Sequence, residues 1–349
     1  ALWSLAILAI VSGALGVFGP AADLLPIILM AGGGIVLGAL IYRWRGERTD
    51  WGRLRLDQRG LSAALAVGVA VGFAQAIPMM LLPIVFEYPF NYGTILAIVA
   101  IAPFALALLL AGPIAGILIR RFGPRGMMSI GTLGLGAANL ALALALTWVA
   151  GEIREAFTLD PTGDSGGLHG LHYLLFILPL AAVGAGFVLA TTVRTAIVFA
   201  STPRGMPSSA AAVNEASVGL GSRIGIVVAT TALTAWALDS ARGMVEGDED
   251  AAPLLAEFET ALYSLGTPRF EEVYRTSLVD AEPIKRAAYS VAYLDGVVVA
   301  LVISGVIGIG GALLAWILMG PRDPIQAVFD MQDEREREDY VPTGVPQKD

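Results

Sequence analysis

Long apolar runs alternate with short polar links along almost the whole chain. The runs fall at 2–19, 24–42, 61–86, 94–119, 127–150, 173–200, 208–238 and 291–319. A helix needs about 20 apolar residues to cross roughly 30 Å of hydrocarbon, so the pattern predicts eight membrane-spanning helices. One link is long, 239–290, with Glu246, Asp248, Glu249 and Asp250 clustered near its start. Further along it, Leu255, Phe258, Leu262, Phe270 and Tyr274 recur at helix-like spacing, broken at Gly266 and Pro268. That spacing fits either a short amphipathic helix over the mouth of the bundle or a solvated loop. Gly320 and Pro321 end the last run, and residues 320–349 read as an acidic, solvated tail.

The polar links differ in charge. Residues 43–59 carry Arg43, Arg45, Arg48, Arg53, Arg55 and Arg59, and the turn after residue 119 adds Arg120, Arg121 and Arg125. The link 151–171 has Arg154 beside Glu152, Glu155, Asp160 and Asp164. Arginine-rich links belong on the cytoplasmic side, which puts 43–60, the 120–125 turn and the tail inside, and 239–290 outside. Every alternate link agrees. Trp44, Trp51 and Trp316, near cytoplasmic ends, fit an interfacial aromatic belt.

Composition makes the bilayer assignment firm: 56% of the 349 residues are hydrophobic and 15% charged, with a mean hydropathy of +0.71. The absence of cysteine removes disulfides, thiolate metal sites and a cysteine nucleophile. Both histidines, His169 and His172, lie in or beside a predicted outer link. The spans hold no Ser-His, His-Glu-x-x-His or paired-Asp arrangement, and the chain has no Gly-x-x-x-x-Gly-Lys loop. An enzyme is therefore not expected, nor a cofactor, a metal or a nucleic-acid partner. The chain begins at Ala1 inside an apolar run, with neither a basic start nor a cleavage site, and reads as a fragment.

The turn from Gly116 to Arg125 reads Gly-Ile-Leu-Ile-Arg-Arg-Phe-Gly-Pro-Arg. It resembles the loop between the second and third helices of each half of major facilitator superfamily transporters, Gly-x-Leu-x-Asp-Arg-x-Gly-x-Arg. Gly116, Leu118, Arg121, Gly123 and Arg125 are in register, and Arg120 stands where that family has Asp. The stretch 208–225, with small residues, then Asn214, then glycines, is similar to the penultimate helix of the fourteen-span drug/proton antiporter branch. Tyr293 to Gly296 is similar to the start of that branch's last helix, and 86–103 to an outer turn leading to a Pro before the basic loop. The resemblance implies an all-α polytopic membrane protein with a major facilitator-type bundle. Residues 1–42 would be two additional helices, 43–60 an Arg-rich linker, and 61–319 the second six-helix half. It further implies proton-coupled export of drugs or other small amphipathic molecules in a bacterial inner membrane. The partners would be the lipid bilayer, a small-molecule substrate and the missing N-terminal half of the same protein. A non-transporting assembly or regulatory component that keeps the fold is the alternative, to which Arg120 lends weight.

Charges inside spans are costly and become functional candidates. Arg194 and Glu215 each lie about 10 Å from the cytoplasmic ends of their spans at a rise of about 1.5 Å per residue, so an ion pair between them is expected. It is either a proton-linked switch, with Glu215 the first proton-coupling candidate, or a static pin. Arg223 lies near midplane and needs water or a partner, and in a cavity it would repel organic cations. Asp295 is the second coupling candidate, or else a helix-start carboxylate stabilised by the dipole. Asn214 is a further cavity candidate, and Gln75 and Asn139 would bond either a substrate or a neighbouring helix. Glu87 is expected to be an interfacial anchor. Gly219, Gly221 and Gly225, and Gly305, Gly308, Gly310 and Gly311, are expected to form close-packing stripes. Pro78, Pro83, Pro103 and Pro113 should kink their helices and free carbonyls that need new partners.

Overall fold

A computed structural model describes residues 59–90, 92–159, 170–201, 207–244, 252–264 and 283–319. The two runs predicted at 2–19 and 24–42, the linker to residue 58 and the tail lie outside the described residues. Those described form helices α1 (Arg59–Glu87), α2 (Thr94–Ala100), α3 (Ala102–Leu159), α4 (Gly170–Ala200), α5 (Pro207–Met244), α6 (Ala252–Tyr263) and α7 (Pro283–Leu318). There is no strand among them. Six helical stretches are long and apolar enough to cross a membrane: Gly60–Glu87, Thr94–Ile119, Arg121–Glu155, His172–Ala200, Pro207–Met244 and Tyr289–Leu318. The chain is an all-α polytopic membrane protein.

Local chemistry explains where the helices break. α3 is continuous except at Gly123, where φ is 69° and ψ 164°, a backbone region open almost solely to glycine. Pro124 follows, its fixed φ suited to the first position of the next helical arm. The predicted single span 94–119 is divided at Ile101, since Pro103 offers no N–H to the carbonyl four residues earlier. The Tyr173 hydroxyl donates to the carbonyl of Ala100 at this break (3.0 Å).

Helix ends extend past the predicted runs. α5 continues to Met244 rather than stopping near 238, and α7 begins at Pro283, eight residues before the apolar run. The link between them is accordingly shorter than 239–290. The first part of its amphipathic stretch forms a helix, α6, which ends at Tyr263 and packs Phe258 on Tyr289 with ring centroids 4.8 Å apart, while Phe270 and Tyr274 lie outside the described residues.

α1 is the hub of the bundle, packed against α5, α7 and α4. Pro78 cannot donate to the carbonyl of Ala74, and that oxygen is taken up by other helices. Asn139 Nδ2 on α3 and Ser304 Oγ on α7 both donate to it at 2.9 Å, each contributing about 0.6–2 kcal/mol. Close backbone approach supplies the rest. A Cβ on Gly221 or Gly72 would overlap the carbonyls of Val69 and Val218 across the α1–α5 contact, and one on Gly225 would lie 2.9 Å from Phe73 O. Gly136 meets Gly305 and Gly308 in the same manner between α3 and α7, and Gly131 meets Gly186 and Ala190 between α3 and α4. The first arm of α3 is peripheral, with Leu109 and Ile117 72% and 70% exposed. Apolar side chains of that kind, along a membrane-spanning stretch, suit lipid.

Candidate functional site

Of the four charged residues within the apolar runs, Arg194, Glu215 and Arg223 lie on α4 and α5 and Asp295 on α7. Arg194 is 3% exposed, wedged between α1, α4 and α5. Its Nη1 donates to the carbonyl of Asn214 (2.7 Å) and to Ser217 Oγ (2.8 Å), while Ser217 Oγ donates to the same Asn214 carbonyl (2.8 Å). Asn214 Nδ2 donates to Thr195 Oγ1 at 3.2 Å. Gly68 on α1 makes room for this cluster: a Cβ there would overlap Ser217 Oγ and come within 2.9 Å of Arg194 Nη1. Arg194 Nε and Asn214 Oδ1 are buried without a hydrogen-bond partner among the described residues.

The expected Arg194–Glu215 ion pair is not formed. Glu215 is exposed, and no ion pair joins it to Arg194 among the described residues. The physical reason is angular. Asn214 and Ser217, three residues apart, face α1 and α4, whereas Glu215 is turned about 100° from Asn214 by one helical step. Depth was legible from counting along the chain; direction depends on which face of α5 packs. Ser217, Thr195 and Gly68 escaped the sequence reading. The signal that could find them is the spacing of Asn214, Ser217 and Gly221, the small and polar residues that α5 buries.

The glycines of α5 divide in the same way. Gly221 and Gly225 pack on α1, but Gly219 lies on the other side of the helix, and the sole atom within 4 Å of a Cβ built there is Arg223 Nη1 at 3.0 Å. Glu215, Gly219 and Arg223, spaced by four, form one stripe turned away from α1, open at Glu215 and half-buried at Gly219 and Arg223. Arg223 is half-buried and has neither an ion pair nor a hydrogen bond among the described residues. Gln75 is half-buried too, and it and Arg223 each lie 16 residues beyond the first residue of their helices, α1 and α5. These helices run in parallel, since Gly68, Val69 and Phe73 meet Ser217, Gly221 and Gly225 in order. Gln75 therefore lies at the same depth as Arg223.

Asp295 is engaged elsewhere. It is three turns inside α7, not at a helix start, because the helix begins at Pro283. Its Oδ2 accepts from Arg154 Nη2 (3.2 Å) and Ser240 Oγ (2.7 Å), tying α3, α5 and α7 at the end opposite the basic turn. Next to it, His172 Nε2 lies 2.7 Å from Glu152 Oε2, and the His172 ring meets Trp148 edge-on at 5.7 Å. Glu87 accepts from Thr94 Oγ1 at 2.7 Å, spanning the α1–α2 turn. Beside that turn Phe86 stacks on Tyr92 (6.0 Å), and burial raises the Tyr92 phenol above its ordinary pKa.

In the basic turn, Gly123 supplies the reversal and Arg125 lies over the Trp316 ring at 4.1 Å, fastening the turn to α7. Arg121 is exposed, with its guanidinium 5.6 Å from the Phe122 ring, and Leu118 is half-buried. Gly116 is exposed, and a Cβ on it would meet nothing. No group of three or more His, Cys, Asp or Glu side chains able to hold a metal occurs among the described residues. No family model matches the chain, and no curated protein matches it.

Proposed function

We propose that this chain is part of a secondary active transporter of major facilitator type, exporting small amphipathic molecules at the expense of a proton gradient. The observation that carries the reading is this stripe on α5. An exposed glutamate and a half-buried arginine at membrane depth, neither held by an ion pair or hydrogen bond among the described residues, are incompatible with lipid and call for water or a second bundle. The basic turn supports the same reading, because glycine at position 123 and the arginines around it have distinct physical tasks there. A carrier that rocks one bundle against another, with substrate bound between them near midplane, has the features this bundle presents: a tightly packed glycine-lined interior and one polar stripe turned away from α1. Glu215 is the coupling group of choice, since it lies well inside the apolar run 208–238 and is held by no hydrogen bond among the described residues. Asp295 is held by Arg154 and Ser240, which assigns it to the architecture.

The test uses the complete protein, with its upstream part, in proteoliposomes. An imposed pH gradient should drive movement of a fluorescent amphipathic probe, and Glu215→Gln should abolish that movement while the protein remains in the membrane in normal amount. Undiminished flux in the variant rejects Glu215 as the coupling group. Absence of gradient-driven flux in the parent protein rejects transport.

A further inference from the structure

The geometry points to an anion site on this stripe of α5, in which Arg223, lying over Gly219, receives the acid group of an anionic amphiphile. This rests on the transport reading and names its substrate class. The first argument is a charge count. Within the six apolar runs 61–86, 94–119, 127–150, 173–200, 208–238 and 291–319 the charged residues are Arg194, Glu215, Arg223 and Asp295. Asp295 is neutralised by Arg154. Glu215 can offset one arginine, and one positive charge is left over. Arg194 is held by the Asn214 carbonyl and Ser217, whereas Arg223 has no ion pair or hydrogen bond among the described residues.

The second argument is shape. A Cβ at Gly219 would find the Arg223 guanidinium within 4 Å and nothing else, whereas one at Gly221 or Gly225 would run into the backbone of α1. The guanidinium is thus laid along its own helix over a residue with no side chain, and no ion pair or hydrogen bond ties it to another helix among the described residues. Glycine at this position keeps the approach to the planar fork clear. The third is the chemistry of the fork. A guanidinium offers paired N–H donors whose spacing matches a carboxylate or phosphate bidentately, and in a low-dielectric setting such bonds are stronger than neutral ones. The surrounding face of α5 carries Ala211, Ala212, Ala216, Leu220 and Ile224, all small or apolar with most of them exposed. An acid group attached to an apolar body matches both parts, and an organic cation is repelled.

Equilibrium binding to the complete protein in detergent tests this directly. The probes are a dansyl-labelled fatty acid and a dansyl-labelled alkyl trimethylammonium of equal chain length, read by energy transfer from tryptophan. The carboxylate should bind about tenfold or more tightly than the ammonium, the equivalent of one charge-assisted hydrogen-bonded pair. Arg223→Gln should erase that preference by weakening the carboxylate alone, and Arg223→Lys should restore part of it. Gly219→Val, which puts bulk where the guanidinium lies, should weaken the carboxylate without affecting the ammonium, and gives the same readout should the glutamine variant misfold. A preference that survives both Arg223→Gln and Gly219→Val, a parent protein that favours the ammonium, or one that binds neither probe overturns the proposal. Arg223-dependent binding without gradient-driven flux would leave this site standing and remove the transport reading. Flux of the carboxylate that ignores Arg223 would do the reverse.

Discussion

Gly123 shows how much a single residue decides. With φ at 69° and ψ at 164°, it occupies a region from which a Cβ is excluded, and Pro124 fixes the helix that follows. Gly123→Ala should destabilise the bundle by about 1–3 kcal/mol, visible as a lowered thermal unfolding midpoint in detergent. Gly116→Ala, where a Cβ meets nothing, should leave the midpoint unchanged or raise it slightly through helix propensity. Two glycines of one sequence motif therefore have different physical status. Arg194 makes the same point for charge. It is the most buried charged side chain among those described, yet it is held by a backbone carbonyl and a serine hydroxyl rather than by the carboxylate at its own depth.

Among the elements, α5 is the one whose two faces do different work. The face with Ser217, Gly221 and Gly225 is fitted to α1 at backbone contact, and the face with Glu215, Gly219 and Arg223 is turned away from it. Gly221→Ala should separate the helices and cost about 1–3 kcal/mol as overpacking, whereas Gly219→Ala should cost little in stability; paired unfolding curves of the two variants check this. The six described spans were legible in the sequence, because each is an apolar run bounded by charge. Their ends were not, since Ser240 to Met244 and Pro283 to Ser290 prolong helices beyond the apolar runs, and hydropathy reports lipid rather than helix. The break at Ile101 follows from Pro103, which the sequence already marked as a kink. Pairing of the glycines could be anticipated only in part: Gly219 and Gly221 are neighbours along the chain and nearly opposite around the helix. Of the candidate site, depth along the membrane was readable, but facing was not, as it depends on which groove of α1 receives α5.

At the scale of the whole molecule, the bundle is fastened at both ends. Arg154, Asp295 and Ser240 join α3, α5 and α7 at one end, and Arg125 on Trp316 joins the basic turn to α7 at the other. The arginine distribution predicts that the turn and the earlier link share one side of the bilayer. The chain has no native cysteine, so Arg48→Cys and Arg121→Cys each place a single thiol in it. Both thiols should react with an impermeant maleimide from the cytoplasmic side; reaction from opposite sides would overturn the topology and the transporter reading with it.

The carbonyl of Ala74 ties α1 to two partners on other helices. Pro78 creates the acceptor by withholding an N–H, and Asn139 and Ser304 answer it from α3 and α7. A residue with an ordinary amide at position 78 would compete for that oxygen and weaken the bond from the buried Asn139 amide. The ring and the amide are therefore interdependent: neither can be exchanged alone without cost, and a chain that drops one has reason to drop the other.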